Sequence, residues 1–403
     1  MASQKRSENR SLLRVNEDLR ELLVRQEPAV VVLKGALGLY LHVPFCRQRC
    51  AWCAFSSEVG AARAPEWLHR ITDQLEDPPW SDARWSSVYV GGGTPTMLEP
   101  RQLDQLLAAV APRLVPGAEV TLEANPESLT AEHLVVLGRR GGTRLSLGIQ
   151  SFDQNLLARY GRPTRRTHFD TARQLVRRWP GLLSLDLICG LGGQSAEGQL
   201  RDLEEALTWE PDHVSWYSLT VEPGTPLDRA VKQGTAGLPS EDEAARWWLE
   251  GCRFLEAAGL SAYEVSNFSR PGAESVHNRR YWALEPWWGL GPSAVSFLPR
   301  LGGGFDYLKE PASLKSWLAG VPPEVEVPTP LELAKDRLLA GLRQTAGVAS
   351  GPWVDLLPRT LARWSTRIMT GNGRLFLTGE AFPFLDAFLR EAFAELDERP
   401  EFR

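Results

Sequence analysis

Residues 40–53 read Tyr40-Leu-His-Val-Pro-Phe-Cys-Arg-Gln-Arg-Cys-Ala-Trp-Cys53, which places three cysteines on one short loop. Cys46, Cys50 and Cys53 have C-x3-C-x2-C spacing and follow a strand-like run at residues 39–43. Cysteine thiolates are the usual protein ligands of iron–sulfur clusters. A [4Fe–4S] cluster that is held by three thiolates keeps one iron open for another ligand. The spacing therefore favours an iron–sulfur cluster.

A zinc site is the alternative that the spacing leaves open. Structural zinc normally takes four protein ligands. His42 is a candidate for the fourth ligand, although the alternation of side chains along a strand predicts that it points away from the loop. A disulfide is disfavoured, because the chain has only five cysteines and three of them lie within residues 46–53.

Composition limits the class of protein. The 403 residues are enough for two or three domains, and the net charge of −5 argues against a bulk nucleic-acid partner. The N-terminus lacks the apolar segment of a signal peptide, and no uncharged apolar run is long enough to cross a membrane. We therefore expect a cytoplasmic protein in a reducing compartment, without a transmembrane segment. Peripheral membrane contact stays open.

From residue 39 onward, strand-like and helical patterns alternate. The strand-like runs are 39–43, 87–90, 119–123, 145–149, 183–188 and 214–219. The helical runs are 65–75, 101–114, 131–138, 153–160, 167–178 and 197–207. This alternation is typical of an α/β protein with a parallel sheet, either a six-stranded partial (β/α) barrel or a wound sheet. In both architectures ligands bind at the carboxyl ends of the strands.

Polar residues lie at those strand ends. The second strand runs into Gly91-Gly92-Gly93-Thr94, the third ends at Glu123 and the fourth at Gln150, while Asp186 interrupts the apolar fifth strand. A carboxylate within an apolar strand is costly unless it meets a partner or a ligand. For the glycine run alone a tight turn is an equally good explanation, and for each polar residue alone a local turn or cap bond is the better one. Together, on one edge of the sheet, they predict a binding site.

The chain is predicted to contain four regions. They are an N-terminal helical extension at 1–36, a core at 37–222, an α+β extension at 223–325 and a small C-terminal domain at 326–403. Prolines at 321–330 suggest a linker. In the last region we expect helices at 331–342 and 353–368, a strand at 374–378 and a final helix at 382–396. That order resembles a winged-helix module, but the final helix is not basic, so DNA binding is not supported.

Several motifs together resemble the radical S-adenosylmethionine (SAM) superfamily. They are Tyr40-x-His-x-Pro-Phe-Cys-x3-Cys-x-Trp-Cys, Gly-Gly-Gly-Thr-Pro-Thr, Leu-Glu-Ala-Asn-Pro, Ser-Leu-Gly-Ile-Gln-Ser-Phe and Asp-Leu-Ile-Cys-Gly-Leu, in this order from about residue 38. More narrowly, they resemble the coproporphyrinogen III oxidase-like branch. The dehydrogenases of that branch carry a fourth cysteine where this chain has Phe55. Phe55, Tyr263-Glu-Val-Ser-Asn-Phe and His277-Asn-x-x-Tyr-Trp are similar to the haem chaperone family HemW.

The resemblance implies roles for individual residues. Cys46, Cys50 and Cys53 would hold a [4Fe–4S] cluster, and SAM would bind its open iron. The positions that match SAM contacts of the family are Tyr40, Trp52, Gly92, Gly93, Thr94, Glu123, Gln150, Arg162 and Asp186. No catalytic residue is assigned.

Haem is the third cofactor that the resemblance implies. His277 is the candidate iron ligand, with Tyr281, Trp282, Trp287 and Trp288 as candidate porphyrin contacts. The residues alone favour a structural histidine among core tryptophans, and the resemblance makes the two interpretations about equal. The resemblance predicts a haem chaperone that delivers haem to acceptor proteins. The alternatives are a radical enzyme that acts on coproporphyrinogen III or another small molecule, and a zinc-stabilised binding protein.

Overall fold

The computed structural model describes residues 36–77, 82–300 and 303–402. Its strands are β1 Leu37–Val43, β2 Phe45–Cys46, β3 Glu58–Val59, β4 Trp85–Gly92, β5 Leu114–Ala124, β6 Arg144–Gln150, β7 Leu182–Cys189, β8 His213–Ser218, β9 Ser261–Ala262, β10 Asn267–Ser269, β11 Trp287–Leu290, β12 Val295–Pro299, β13 Phe305–Lys309, β14 Glu324–Glu326, β15 Val348–Ala349, β16 Ile368–Gly371 and β17 Arg374–Leu377.

The α-helices lie between these strands and at the C-terminal end. They are α1 Ala64–Glu76, α2 Pro100–Val110, α3 Ala131–Arg139, α4 Gln154–Arg159, α5 Arg166–Val176, α6 Ala196–Leu207, α7 Pro226–Lys232, α8 Glu241–Ala257, α9 Val276–Trp282, α10 Leu314–Leu318, α11 Pro330–Arg343, α12 Gly351–Leu356, α13 Pro358–Arg363 and α14 Leu385–Asp397. None of these helices is long and apolar enough to cross a bilayer, a finding that concerns the described residues alone.

The six predicted core strands are confirmed. β1, β4, β5, β6, β7 and β8 pair in parallel and in chain order. Helical crossovers separate consecutive core strands, as parallel pairing requires. In the described part of the chain no ladder joins the two ends of this sheet, so the barrel is partial rather than closed.

The sheet is wider than the sequence predicts. β11 pairs in parallel with β1, and β12, β13 and β14 continue beyond it, while β10 and β9 extend the opposite edge beyond β8. These added strands are only two to five residues long, so they carry little periodic signal. β14, residues 324–326, also lies within the segment that was predicted to be a linker. That prediction is wrong, because the segment pairs with β13.

Side chains alternate between the two faces of the core strands. Val88, Val90 and Leu122 belong to the apolar core beneath the helices. Tyr89 and Glu123 alternate with them and meet each other on the other face. Polar side chains on successive strands are thus gathered inside the partial barrel.

The C-terminal residues have their own apolar core, built from α11 to α14 and the three-stranded sheet β15–β17–β16. The predicted helix at 353–368 is wrong, because the chain forms two short helices, α12 and α13. Leu357 leaves helical geometry directly before Pro358, as the residue before a proline tends to do. The predicted N-terminal helix at 1–36 lies almost entirely outside the described residues.

Candidate functional site: a cysteine loop at the mouth of a polar cavity

The cysteine loop is held in place from three directions. Cys46 lies on β2, which pairs with β3. The Ala51 amide donates to the Tyr160 carbonyl at 2.9 Å, and the Ala51 carbonyl accepts from the Leu227 amide at 3.0 Å. Cys53 closes the loop with a turn back to Cys50. These contacts fix the backbone that presents the three thiols.

Two of the thiols receive hydrogen-bond donors from the barrel. The Thr94 hydroxyl lies 3.8 Å from Cys46 Sγ, and Nη1 of Arg162 lies 3.9 Å from Cys50 Sγ. Burial raises the pKa of the Cys50 thiol, and the Arg162 guanidinium opposes that rise. Donors of this kind stabilise thiolate ligands and tune a bound cluster.

A cavity of about 460 Å³ opens between this loop and the carboxyl ends of the core strands. Its lining includes the site residues Cys46, Cys50, Trp52, Cys53, Gly92, Gly93, Thr94, Glu123, Gln150, Arg162 and Asp186. The structure therefore brings together all the predicted cluster and SAM residues except Tyr40. Its volume lies within the range of about 300–1,000 Å³ that is usual for small-molecule sites.

Two carboxyl groups face this first cavity from β5 and β7, the two strands that flank β6. Glu123 accepts hydrogen bonds from the Tyr89 hydroxyl at 2.7 Å and the Gly92 amide at 3.0 Å. Burial raises the pKa of Glu123 to about 7 against the opposing bond from Tyr89, and the nearby Asp186 adds to the rise. Asp186 itself accepts from the Ser146 hydroxyl, and its pKa is raised by burial. Two poorly solvated carboxyl groups suit a cationic ligand.

The glycines at the end of β4 allow one backbone segment to approach another closely. A Cβ atom on Gly93 would lie 2.8 Å from the carbonyl oxygens of Val43 and Phe45. The Gly93 amide donates to the Val43 carbonyl at 2.8 Å. Only glycine fits at this point, where the cavity wall meets the start of the cysteine loop.

These residues fit a [4Fe–4S] cluster and SAM. Three cysteines line the same cavity, and the buried Nε of Arg162 has no hydrogen-bond partner there. The carboxyl groups of Glu123 and Asp186 complement the ammonium and sulfonium charges of SAM. A structural zinc site would need a fourth protein ligand. His42, the candidate for that role, instead bonds through Nε2 to the Ser56 carbonyl at 2.8 Å.

Tyr40 and His277 lie away from the first cavity. The Tyr40 hydroxyl bonds to Nδ1 of His42 at 3.0 Å. His277 is fully buried, and its ring bonds to the Ser87 hydroxyl at 2.9 Å and to the Tyr281 hydroxyl at 2.8 Å. Binding of an iron to Nε2 of His277 would require Tyr281 to turn away.

A second cavity of about 520 Å³ lies beside the first. Its aromatic walls come from Tyr40, Phe55, Tyr281, Trp282, Trp287 and Tyr307. Helix α11 closes one side with Leu339 and Ala340. Ala54 and Phe55 line both cavities, so the end of the cysteine loop forms their common wall.

Sequence reasoning missed several polar residues of the first cavity, Asn125 and Tyr217 among them. Asn125 donates to the Thr94 hydroxyl at 2.9 Å and accepts from Arg162 at 2.8 Å, so it links the contacts of two thiols. Its place just beyond the third strand end was the signal that could have identified it. Tyr217 also lines the cavity, from the end of β8, and the apolar pattern of that strand concealed it.

Comparisons with known proteins identify the superfamily of the chain. The radical SAM superfamily matches residues 40–206. A mitochondrial radical S-adenosyl methionine domain-containing protein 1 from Bos taurus is 37% identical over 84% of this chain and 79% of its own. The heme chaperone HemW of Synechocystis is 34% identical over 79% of each chain. The Mycobacterium tuberculosis HemW is 40% identical over 67% of this chain and 72% of its own.

The solved structure of coproporphyrinogen III oxidase (HemN) from Escherichia coli shares the fold. Its TM-score is 0.74 at 20% identity, and the match covers 94% of this chain and 92% of that one. The fold and the cysteine loop thus define a radical SAM protein, a class that implies a [4Fe–4S] cluster and SAM. Within that class, the chain belongs to the family of the HemW proteins.

Proposed function

We propose that this protein is a haem chaperone that binds a [4Fe–4S] cluster, SAM and haem, and delivers haem to acceptor proteins. Relatives that are 31–40% identical are named heme chaperone HemW. The observation that carries the proposal is Phe55, which is 64% exposed and lines both cavities. The resemblance places a fourth cysteine here in the porphyrinogen dehydrogenases. Phenylalanine instead supplies an apolar wall for a second ligand.

In the first cavity, the chain's own residues would hold two cofactors. Cys46, Cys50 and Cys53 would bind the cluster, while Thr94 and Arg162 would donate to its sulfurs. Glu123 and Asp186 would bind the cationic part of SAM. A reduced cluster supplies one electron for the cleavage of SAM when that chemistry operates.

The second cavity is the place that we propose for haem. Its volume and aromatic walls suit a planar apolar macrocycle. The Tyr281 hydroxyl is the candidate iron ligand, because tyrosine ligates haem iron in some proteins. His277 lies behind Tyr281 and binds the same hydroxyl. The predicted ligand role of His277 is thus replaced in this proposal by a role in orienting Tyr281.

Haem titration of anaerobically reconstituted protein tests the proposal. We expect a saturable absorbance change at one haem per chain. Leu339→Trp, which fills the second cavity, should weaken haem binding at least tenfold while the iron content stays unchanged. Leu331→Trp is the matched control, since Leu331 is on the same helix and, like Leu339, packs against the C-terminal core, but does not line the second cavity. A wild-type protein without a haem-dependent spectrum would reject the chaperone function.

A radical enzyme is the second candidate, favoured by the intact residue set of the first cavity. Anaerobic incubation with SAM, a reductant and coproporphyrinogen III distinguishes the two functions. Stoichiometric 5′-deoxyadenosine together with an oxidised porphyrinogen would establish the enzyme. Retention of the porphyrinogen alongside haem binding is the result expected of the chaperone.

A further inference from the structure

Two loops that border the first cavity have unusual backbone geometry. Gln150, at the end of β6, has a φ of +69°, which is left-handed although the residue is not glycine. Gly190, just after β7, has a φ of +89°. A non-glycine residue keeps a left-handed conformation only where its surroundings enforce it. Contacts with neighbouring residues must therefore hold these loops in place.

Asp202 of α6 holds the loop after Gln150. Its Oδ2 accepts from the Ser151 hydroxyl at 2.7 Å, and its Oδ1 accepts from the Phe152 amide at 2.8 Å. Both donors belong to the residues that directly follow Gln150. The carboxylate thus fixes the path of the chain immediately after the left-handed residue.

The same carboxylate reaches the loop after β7 through one side chain. Nε2 of Gln194 donates to Oδ2 of Asp202 at 3.3 Å. Oε1 of Gln194 accepts from the amides of Gly190 at 2.9 Å and Leu191 at 3.3 Å. Asp202 is therefore the common support of the fourth and fifth core strand ends, which carry Gln150 and Asp186.

Asp202 lies outside the cavity that it supports. It is 5% exposed, and the donors that it meets from Ser151, Phe152 and Gln194 are all neutral. Burial raises its pKa to about 6. Burial of a carboxylate costs free energy when all of its hydrogen-bond donors are neutral. Such a group is therefore an unfavourable choice if it serves only to join two loops. The carboxylate is therefore better explained by the site residues that the two strand ends carry than by stability alone.

We propose that Asp202 is a positioning residue for SAM, which sets the distance and orientation of the two strand ends that contact it. The proposal rests on the SAM site of the proposed function. It assigns Asp202 no contact with SAM, the cluster or haem. The cysteine loop is anchored by backbone hydrogen bonds to Tyr160 and Leu227, neither of which bonds to Asp202. The Tyr160 hydroxyl meets the loop after β7 at Gly192, but its backbone carbonyl makes the anchoring bond, so loss of the Asp202 carboxylate should leave the cluster in place.

Asp202→Asn tests this role with little change of volume. Asparagine offers one acceptor oxygen, and its amide would face the Gln194 amide, donor against donor. We expect SAM to bind about tenfold more weakly, with iron content and haem affinity within twofold of wild type. Glu204→Gln, on the same helix but exposed, is the matched control and should bind SAM normally.

A double-mutant cycle separates positioning from general damage. If Asp202 acts through Gln150, Asp202→Asn should weaken SAM binding less than threefold in a Gln150→Ala background. Full tenfold losses in the wild-type, Gln150→Ala and Asp186→Asn backgrounds alike would overturn the inference, as would normal SAM binding by Asp202→Asn. Parallel losses of iron, SAM and haem would also overturn it, by showing a folding defect. Failure of the wild type to bind SAM would instead reject the SAM site itself.

Discussion

Replacement of His277 by alanine is expected to destabilise the apoprotein by about 3–5 kcal/mol. The His277 ring is fully buried between the hydroxyls of Ser87 and Tyr281. Each hydroxyl left without its partner costs about 1–3 kcal/mol, and the space left by the ring adds to this. A solvent-exposed histidine that served only to bind haem would contribute almost nothing to the stability of the apoprotein.

The assay is urea unfolding of the apoprotein at pH 7.5, with the free energy extrapolated to water. His69→Ala is the matched control, since that side chain is 80% exposed, and it should lose less than about 0.5 kcal/mol. A loss below about 1 kcal/mol in His277→Ala would refute the buried, doubly bonded arrangement.

The pH dependence of the same measurement provides a second check. Burial lowers the pKa of His277 from 6.5 to about 3. The unfolded chain therefore takes up a proton below about pH 6.5 that the folded chain refuses, so the wild type loses stability as pH falls. Between pH 7 and pH 5 this loss is about 2 kcal/mol for His277. The difference between wild type and His277→Ala should shrink by that amount.

Three further predictions follow from the site and the barrel interior. Burial raises the pKa of Glu123 to about 7, so protonation of this carboxylate should weaken SAM binding as pH falls from 8 to 6. Anaerobic calorimetry measures this affinity, and Glu123→Gln should show a flat pH profile instead. Glu119→Ala leaves the buried Arg144 uncompensated and should cost about 3–5 kcal/mol in urea unfolding. Asp104→Ala, which removes a solvent-exposed network with Arg139 and Arg140, should cost much less, and equal costs would contradict the buried pair. Gly93→Ala pushes a Cβ atom against the Val43 and Phe45 carbonyls and should at least halve the iron bound after reconstitution. Gly379→Ala is the control, because its Cβ atom would meet open space, and it should bind iron normally.

Local patterns in the sequence were enough to predict the core of the fold. Apolar runs such as Leu183–Ile188, alternating with amphipathic helices, give the order of six parallel strands. This works because side chains repeat every two residues in a strand and about every 3.6 in a helix, and parallel neighbours need helical crossovers. The cysteine spacing likewise predicted the cluster loop, since its three cysteines lie within eight residues of chain.

Only the tertiary structure decided the surroundings of His277. Its ring meets Ser87, which is 190 positions away in the chain, and its backbone amide donates to the buried Glu119 at 3.0 Å. Both partners were strand residues without any signal of their own in the sequence. Contacts of this kind depend on how the extension packs into the barrel, which no local periodicity encodes.

The same limit applies to the two cavities. The sequence by itself determined which residues gather at the carboxyl ends of the strands, because parallel strands place those ends on one edge. It could not place Tyr40 in the second cavity, nor show that Phe55 forms a common wall. Those facts depend on the distance between elements that are remote in the chain, and packing of the whole core sets that distance.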